Sequence, residues 1–190
     1  MTLAIEQNTK IGLISKALIL CGEQPLQSLS DDRYGATVGS NLYELIFENE
    51  LASNPWRFCA NKKALSRINS TPLNQFRYIH QIPTDCLLVR FVYPRTNYEI
   101  YGDRIYSDQQ TVELDYTFKP EVTAVPAYFS TLMVYALARD MINPITSSLS
   151  ATQAMQAKYV MQRDRAMYAD AQARPSHPVQ DNPFTDVRGA

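Results

Sequence analysis

Leu51-Ala52-Ser53-Asn54-Pro55-Trp56-Arg57-Phe58-Cys59-Ala60 is the stretch that divides this chain. A proline disfavours helical geometry in the residue before it, so Pro55 pushes Asn54 out of any helix and ends the pattern arriving from upstream. The only tryptophan, Trp56, follows at once with Phe58 beside it, and that apolar surface has to be buried at the corner. Upstream, Ile11, Ile14, Ala17-Leu18 and Cys21 recur at helical spacing, while Leu13 and Leu20 form a second apolar line, so the first helix needs two neighbours. Ser30 is a candidate cap for a second helix, with Asp31 and Asp32 in its first turn. Tyr34, Val38, Leu42, Leu45 and Ile46 are its expected buried face, and Ser53 its approximate end.

Downstream the period changes to short β-rich runs over 87–92, 98–101, 104–106 and 112–118, with Gly102-Asp103 as a hairpin tip. Ile82-Pro83-Thr84-Asp85-Cys86-Leu87 sets a rigid bend ahead of the first of these runs. Helical spacing returns after Pro126 through Phe129, Leu132-Met133, Ala136-Leu137 and Asp140-Met141, and Asn143-Pro144 is the expected stop. A fourth helix begins near Ser148 or Ser150 and carries Met155, Tyr159, Gln162, Ala166 and Ala169 to about Ala173, a length of roughly 36 Å. This order predicts an α+β fold. Helix pairs at 1–56 and 123–173 form a four-helix bundle, a small antiparallel β lobe at 57–122 is inserted between them, and 174–190 is an extended tail. Trp56, Phe58, Pro83 and Cys86 are the expected seam between bundle and lobe. The tail holds Pro175, Pro178 and Pro183 with only Val179, Phe184 and Val187 as sizeable apolar side chains, too few to fold alone, and it reaches on the order of 55 Å if extended.

At 190 residues and 45% hydrophobic content the chain can bury a core, and its formal charge of −1 argues against a general nucleic-acid binder. Cys21, Cys59 and Cys86 include no Cys-x-x-Cys pair, and reduced thiols are expected. His80 and His177 have no metal-ligand spacing around them, and the six glycines form no phosphate-binding loop. No catalytic, cofactor or metal site is therefore expected, and no run of about eighteen apolar residues suggests a membrane span. A thiol nucleophile at Cys59 or Cys86 with His80 as base lacks a recognisable orienting group.

The charges are segregated along the chain. Arg57, Lys62, Lys63, Arg67, Arg77, Arg90 and Arg95 stand against Asp85 alone between 57 and 95, whereas Glu99, Asp103, Asp108, Glu113, Asp115 and Glu121 face only Arg104 and Lys119 between 97 and 121. One reading is solvated strand faces; the other is complementary flanks for a head-to-tail contact, which closes into a ring. The chain has twelve tyrosines, and Tyr98, Tyr101 and Tyr106, with Tyr93 and Tyr116, cluster in the β region, where amphipathic rings suit an interface.

Taken in order, Ala17-Leu18 to Gly22-Glu23 with Pro25, Ser28-Leu29 with Asp31, Asn54-Pro55-Trp56 with Phe58 and Ala60, Ile82 to Leu87, the hairpin 98–106, Asp115-Tyr116, the helix 129–138 and Asp170-Ala171-Gln172 resemble the tail tubular protein A family, the head-to-tail adaptors or gatekeepers of short-tailed bacteriophages. The resemblance spans roughly 10–172. It implies a virion neck protein, made in the host bacterial cytoplasm, that forms a dodecameric ring below the capsid portal. The ring receives the tail nozzle (tail tubular protein B), helps seat tail fibres and passes double-stranded DNA without binding it specifically. No bond is made or broken. On that reading Arg57, Lys62, Lys63, Arg67, Tyr98, Tyr101 and Tyr106 meet a subunit or partner. Glu99, Asp103, Asp108, Glu113 and Asp115 face the lumen or nozzle, since an acidic wall does not hold phosphate, and Val179, Phe184 and Val187 dock on the portal. The alternative is a small module that binds single-stranded nucleic acid through the Tyr and Arg side chains of the lobe.

Overall fold

The computed structural model describes residues 8–26, 28, 30–73 and 75–173, and within them the fold is α+β, with four α-helices and two antiparallel sheets. The tail at 174–190 and its Val179, Phe184 and Val187 lie outside the described residues. Helix α1 (Lys10–Leu20) starts where the Gly12 amide donates to Thr9 Oγ1 at 3.1 Å. It stops at Gly22, whose φ of +86° lets the Gly22 amide reach the Ile19 carbonyl and the Glu23 amide the Leu18 carbonyl, a left-handed termination that a side chain would strain.

Helix α2 (Tyr34–Ser53) ends at extended Asn54, as Pro55 requires. Its start and its buried face both depart from expectation. Ser30 is not the cap. Arg33 is, without a side-chain cap bond, and the Asp31 carboxylate instead accepts from the Arg33 amide and pairs with its guanidinium at 2.6 Å. Tyr34 and Leu45 are 65% and 68% exposed, while Gly35, Ala36, Gly39, Tyr43, Ile46, Phe47, Glu50 and Leu51 are buried. Close approach explains this: a Cβ on Gly39 would lie 2.6 Å from Ile14 Cγ2 and 3.0 Å from Met141 Cε, and one on Gly35 2.9 Å from Leu18 Cδ2.

Helix α3 (Ala127–Thr146) follows Pro126 and packs against each of the other three helices, with Phe129, Leu132, Met133, Ala136, Leu137, Ala138 and Met141 wholly buried. It runs through Pro144 rather than stopping there, because buried Ile142 and core-packed Ile145 anchor its last turn, which closes at left-handed Ser147. Ser148 then caps α4 (Leu149–Gln172), accepting from the Ala151 amide at 3.3 Å.

Among the described residues seven strands lie between the helix pairs: β1 (Ala60–Ala64), β2 (Arg67–Ile68), β3 (Tyr78–Gln81), β4 (Cys86–Tyr93), β5 (Tyr98–Tyr101), β6 (Arg104–Ser107) and β7 (Glu113–Phe118). One sheet has the order β1-β7-β4 and the other β2-β3-β6-β5, and the β5-β6 hairpin turns at Gly102, with φ of +59°. The helices share one hydrophobic core. Ile82, Val92, Ile105, Val112, Leu114 and Tyr116 make a second core in the lobe, and Phe118 packs against both. Trp56 belongs to the helical core with Phe58 packed on it, whereas Cys86, just past half-buried Pro83, packs on the lobe core. Arg90 ties the two together: its Nη2 donates to the Trp56 carbonyl at 2.7 Å and its Nε to Thr117 Oγ1 at 2.8 Å.

Candidate interaction surface

The segregation of charge along the sequence does not survive folding into two flanks. Antiparallel pairing of β1 with β7 sets Lys62 opposite Asp115 and Ala64 opposite Glu113, and β4 sets Phe91 opposite Asp115 on the other side. Side chains alternate across a strand, so the outer face of this sheet interleaves Lys62 with Glu113 and Asp115. Lys119 is drawn away altogether, bridging Glu44 at 2.9 Å and Glu48 at 2.8 Å on α2, and together with Lys10 it holds the Glu44 carboxyl below its ordinary range. The structural reason is simple: antiparallel pairing brings sequence-distant, oppositely charged segments side by side.

Cations and aromatic rings are paired across the lobe. Lys62 Nζ lies 4.6 Å from the Tyr93 ring centroid, the Arg67 guanidinium 5.4 Å from that of Tyr78, and Arg95 5.9 Å from Phe91, which is 51% exposed. Such contacts hold long basic side chains over apolar rings. Lys63 points to solvent on β1, and Arg57 is exposed at the corner, where its backbone amide donates to the buried Asp170 carboxylate at 3.1 Å.

The other sheet ends in a free edge. Among the described residues strand β5 pairs only with β6, and it carries exposed Tyr98, Ile100 and Tyr101. The Tyr101 ring meets Tyr106 edge-on at 5.5 Å, and its hydroxyl donates to Glu99 at 2.9 Å, which raises the phenol's pKa. At the hairpin tip Asp103 accepts from Gln81 Nε2 at 2.9 Å and is held below the usual carboxylate range by that bond, and Asp108 accepts from the Arg77 amide at 3.1 Å. Thus Glu99 stands on β5 of the four-stranded sheet with Asp103 and Asp108 at either end of its β6, whereas Glu113 and Asp115 stand on β7 of the three-stranded one. Tyr98, Tyr101 and Tyr106 share the first of these with Arg67, and Lys62 and Lys63 stand on the second.

Burial pushes the thiols of Cys21 and Cys59 up to about 11 and raises Cys86. His80 is fully buried, its Nε2 3.0 Å from the Gln109 carbonyl, and desolvation lowers its pKa. Among the described residues no group of three His, Cys, Asp or Glu side chains is placed to hold a metal ion, and no helix is long and apolar enough to cross a membrane. Compared with known protein families and with curated sequences, the chain matches no family model and no curated protein.

Sequence reasoning passed over Phe91 and Leu88, exposed on the long edge strand β4. In Cys86-Leu87-Leu88-Val89-Arg90-Phe91-Val92 the apolar run hides which residues face out, because register shifts between Cys86 and Leu88 and between Val89 and Phe91 break the alternation. It also passed over buried Glu50 and Asp170. Asp170 accepts from the Tyr128 hydroxyl at 2.7 Å and the Arg57 amide, so one carboxylate ties α4, α3 and the corner.

Proposed function

We propose that this chain is a structural adaptor of a short-tailed phage neck. Its four helices form a four-helix bundle, and its copies form a ring of dodecameric type that joins the capsid portal to the tail nozzle, helps seat tail fibres and lines part of the channel for double-stranded DNA. The observation that carries this reading is the edge of β5, open among the described residues, with Tyr98, Ile100 and Tyr101 exposed along it. An unpaired strand edge bearing aromatic side chains is a template for another polypeptide, which supplies main-chain bonds for affinity and side-chain pockets for register. The landmarks of the resemblance support it, since the Trp56 corner, the Pro83 bend and the 98–106 hairpin are each a distinct structural feature here. Glu99, Asp103 and Asp108 are the preferred lumen or nozzle residues, because Glu113 and Asp115 share their face with Lys62. The segment 174–190 docks on the portal or an adjacent copy in the assembled neck. Co-sedimentation with purified portal rings tests the proposal: saturable binding is expected, and a protein that stays in the supernatant at every ratio refutes it.

The paired cations and rings of Lys62 with Tyr93, Arg67 with Tyr78 and Arg95 with Phe91 favour a second reading, a platform for single-stranded nucleic acid. Salt-sensitive binding of labelled oligonucleotides supports that reading; the acids on the same sheet oppose it.

A further inference from the structure

Strands β2 and β3 form a hairpin whose ladder stops early. Arg67 pairs with His80 and Ile68 with Ile79, and the Gln81 amide donates to the Ser66 carbonyl at 3.0 Å. Beyond Ile68 the chain runs Asn69-Ser70-Thr71-Pro72, turn-forming residues without apolar alternation, so the two arms part and leave a hollow between them. The hollow has a volume of about 290 Å³ and is lined chiefly by Arg67, Asn69, Ser70, Thr71, Arg77 and Tyr78. If the register of the ladder is continued, Arg77 stands opposite Ser70. The hairpin thus brings one arginine from each arm to a single opening.

Both arginines are held from outside the hollow. Phe76 is buried and the Arg77 amide donates to the Asp108 carboxylate at 3.1 Å, which fixes the returning arm. The Arg67 guanidinium lies 5.4 Å from the centroid of the Tyr78 ring. Such a contact uses the face of the ion and leaves its N–H edge free to donate. Among the described residues neither guanidinium has a carboxylate within ion-pair distance, and the side chains of Asn69, Ser70 and Thr71 make no hydrogen bond. No acid lines the hollow among these residues, and the bond from Asp108 goes to the Arg77 backbone.

The geometry points to a binding site for a phosphoryl group in this hairpin. A tetrahedral phosphate presents oxygens in several directions and is matched by donors that converge from several sides. Here two planar guanidinium forks on separate arms, two hydroxyls and one carboxamide supply them. A carboxylate is satisfied by one fork and leaves the second arginine without a partner, so the paired forks select phosphate. Ligand pockets usually enclose about 300–1,000 Å³, so a hollow of this size takes the charged group and leaves the rest of the ligand outside. The group is the terminal phosphate of a small molecule or the phosphodiester of a nucleic-acid strand, which share this chemistry. The assignment goes beyond the adaptor reading and stands without it.

The test is a titration of the full chain, labelled with ¹⁵N, followed by amide chemical shifts at constant ionic strength. One arm uses inorganic phosphate, a second a short oligothymidylate without terminal phosphates, and a third acetate. Saturable shifts at the amides of Ser70, Thr71 and Arg77 are expected, with a Kd for phosphate on the order of 1 mM. Arg67→Gln and Arg77→Gln should each weaken binding at least about tenfold, and Arg77→Lys, which keeps the charge but not the fork, at least about threefold. Lys158→Gln, the same change of charge at an exposed residue of α4, should leave Kd within about twofold. Saturation by the oligothymidylate at the same amides assigns the group to a strand, and saturation by phosphate alone assigns it to a terminal phosphate. Shifts that rise without saturation with both phosphate probes would overturn the proposal. So would acetate binding as tightly as phosphate, an equal loss from Lys158→Gln, or undiminished binding by Arg77→Lys and Arg67→Gln.

Discussion

Trp56 is the side chain on which the corner depends, and its removal gives a measurable cost. It is fully buried, 5.4 Å from the Phe129 ring and 6.3 Å and 6.5 Å from those of Phe58 and Tyr128. Its Nε1–H donates to the Glu50 carbonyl at 2.7 Å. That carbonyl lies in the last turn of α2, where extended Asn54 no longer supplies a helical donor, so the indole takes the place of a missing backbone bond. Trp56→Ala removes both the ring and the donor. A large-to-small change at such a site costs about 3–5 kcal/mol. For a chain of this size each kcal/mol moves Tm by about 2–4 °C, so the melting point should fall by about 6–20 °C. Trp56→Phe keeps most of the ring contacts, and the Glu50 carbonyl still accepts from Ser53 Oγ at 2.9 Å, so a loss of about 1–2 kcal/mol is expected. The assay is urea denaturation followed by circular dichroism at the helical band, because the substitutions remove the fluorophore. A stability for Trp56→Ala within about 0.5 kcal/mol of the parent would refute the reasoning, since only surface changes fall there.

Glu50 is 1% exposed, with its Oε1 accepting from Tyr159 Oη at 2.8 Å and Arg139 4.0 Å away, and burial outweighs both to hold the carboxyl above its ordinary 4.5. The folded state therefore binds this proton more tightly than the unfolded state, and the stability it contributes is present below pH 4.5 and lost as pH rises through the folded value. Glu50→Gln should flatten that part of the profile in denaturation curves taken from pH 4 to 8, and superimposable profiles would contradict it. Cys59, buried with its thiol near 11, should be alkylated by iodoacetamide at pH 7.5 only as the chain unfolds, and mass spectrometry showing labelling of native protein as fast as of a free thiol would exclude this burial. Gly39→Ala should cost about 1–3 kcal/mol through the contact with Ile14 and Met141, read as a lower urea midpoint, and an unchanged midpoint would mean that α1 and α2 are further apart than described.

Features governed by backbone chemistry were legible in the chain. Pro55 ends α2, Pro126 precedes α3, Ser148 caps α4 and Gly102 turns the hairpin, each because a local geometry admits few residue types. What escaped depends on partners remote in sequence. The strand β1 reads Ala-Asn-Lys-Lys-Ala with every residue exposed, so it has no apolar alternation and exists because β7 supplies its ladder. The face of α2 is chosen by Gly35 and Gly39, which admit α1 closely, and hydrophobicity alone favoured Tyr34 and Leu45. Charge segregation was legible as a pattern, yet its placement was not, because β1 and β7, which set Lys62 opposite Asp115, are far apart in sequence. The candidate interface was legible in its tyrosines, whereas Phe91 stayed hidden behind irregular register.

The most direct measurement of the adaptor reading is electron microscopy of purified portal rings mixed with this protein. The account predicts a second ring of added density, concentric with the portal and stacked on one face, with a channel open through both. Portals that stay bare while the protein binds single-stranded oligonucleotides in a salt-sensitive manner would contradict it.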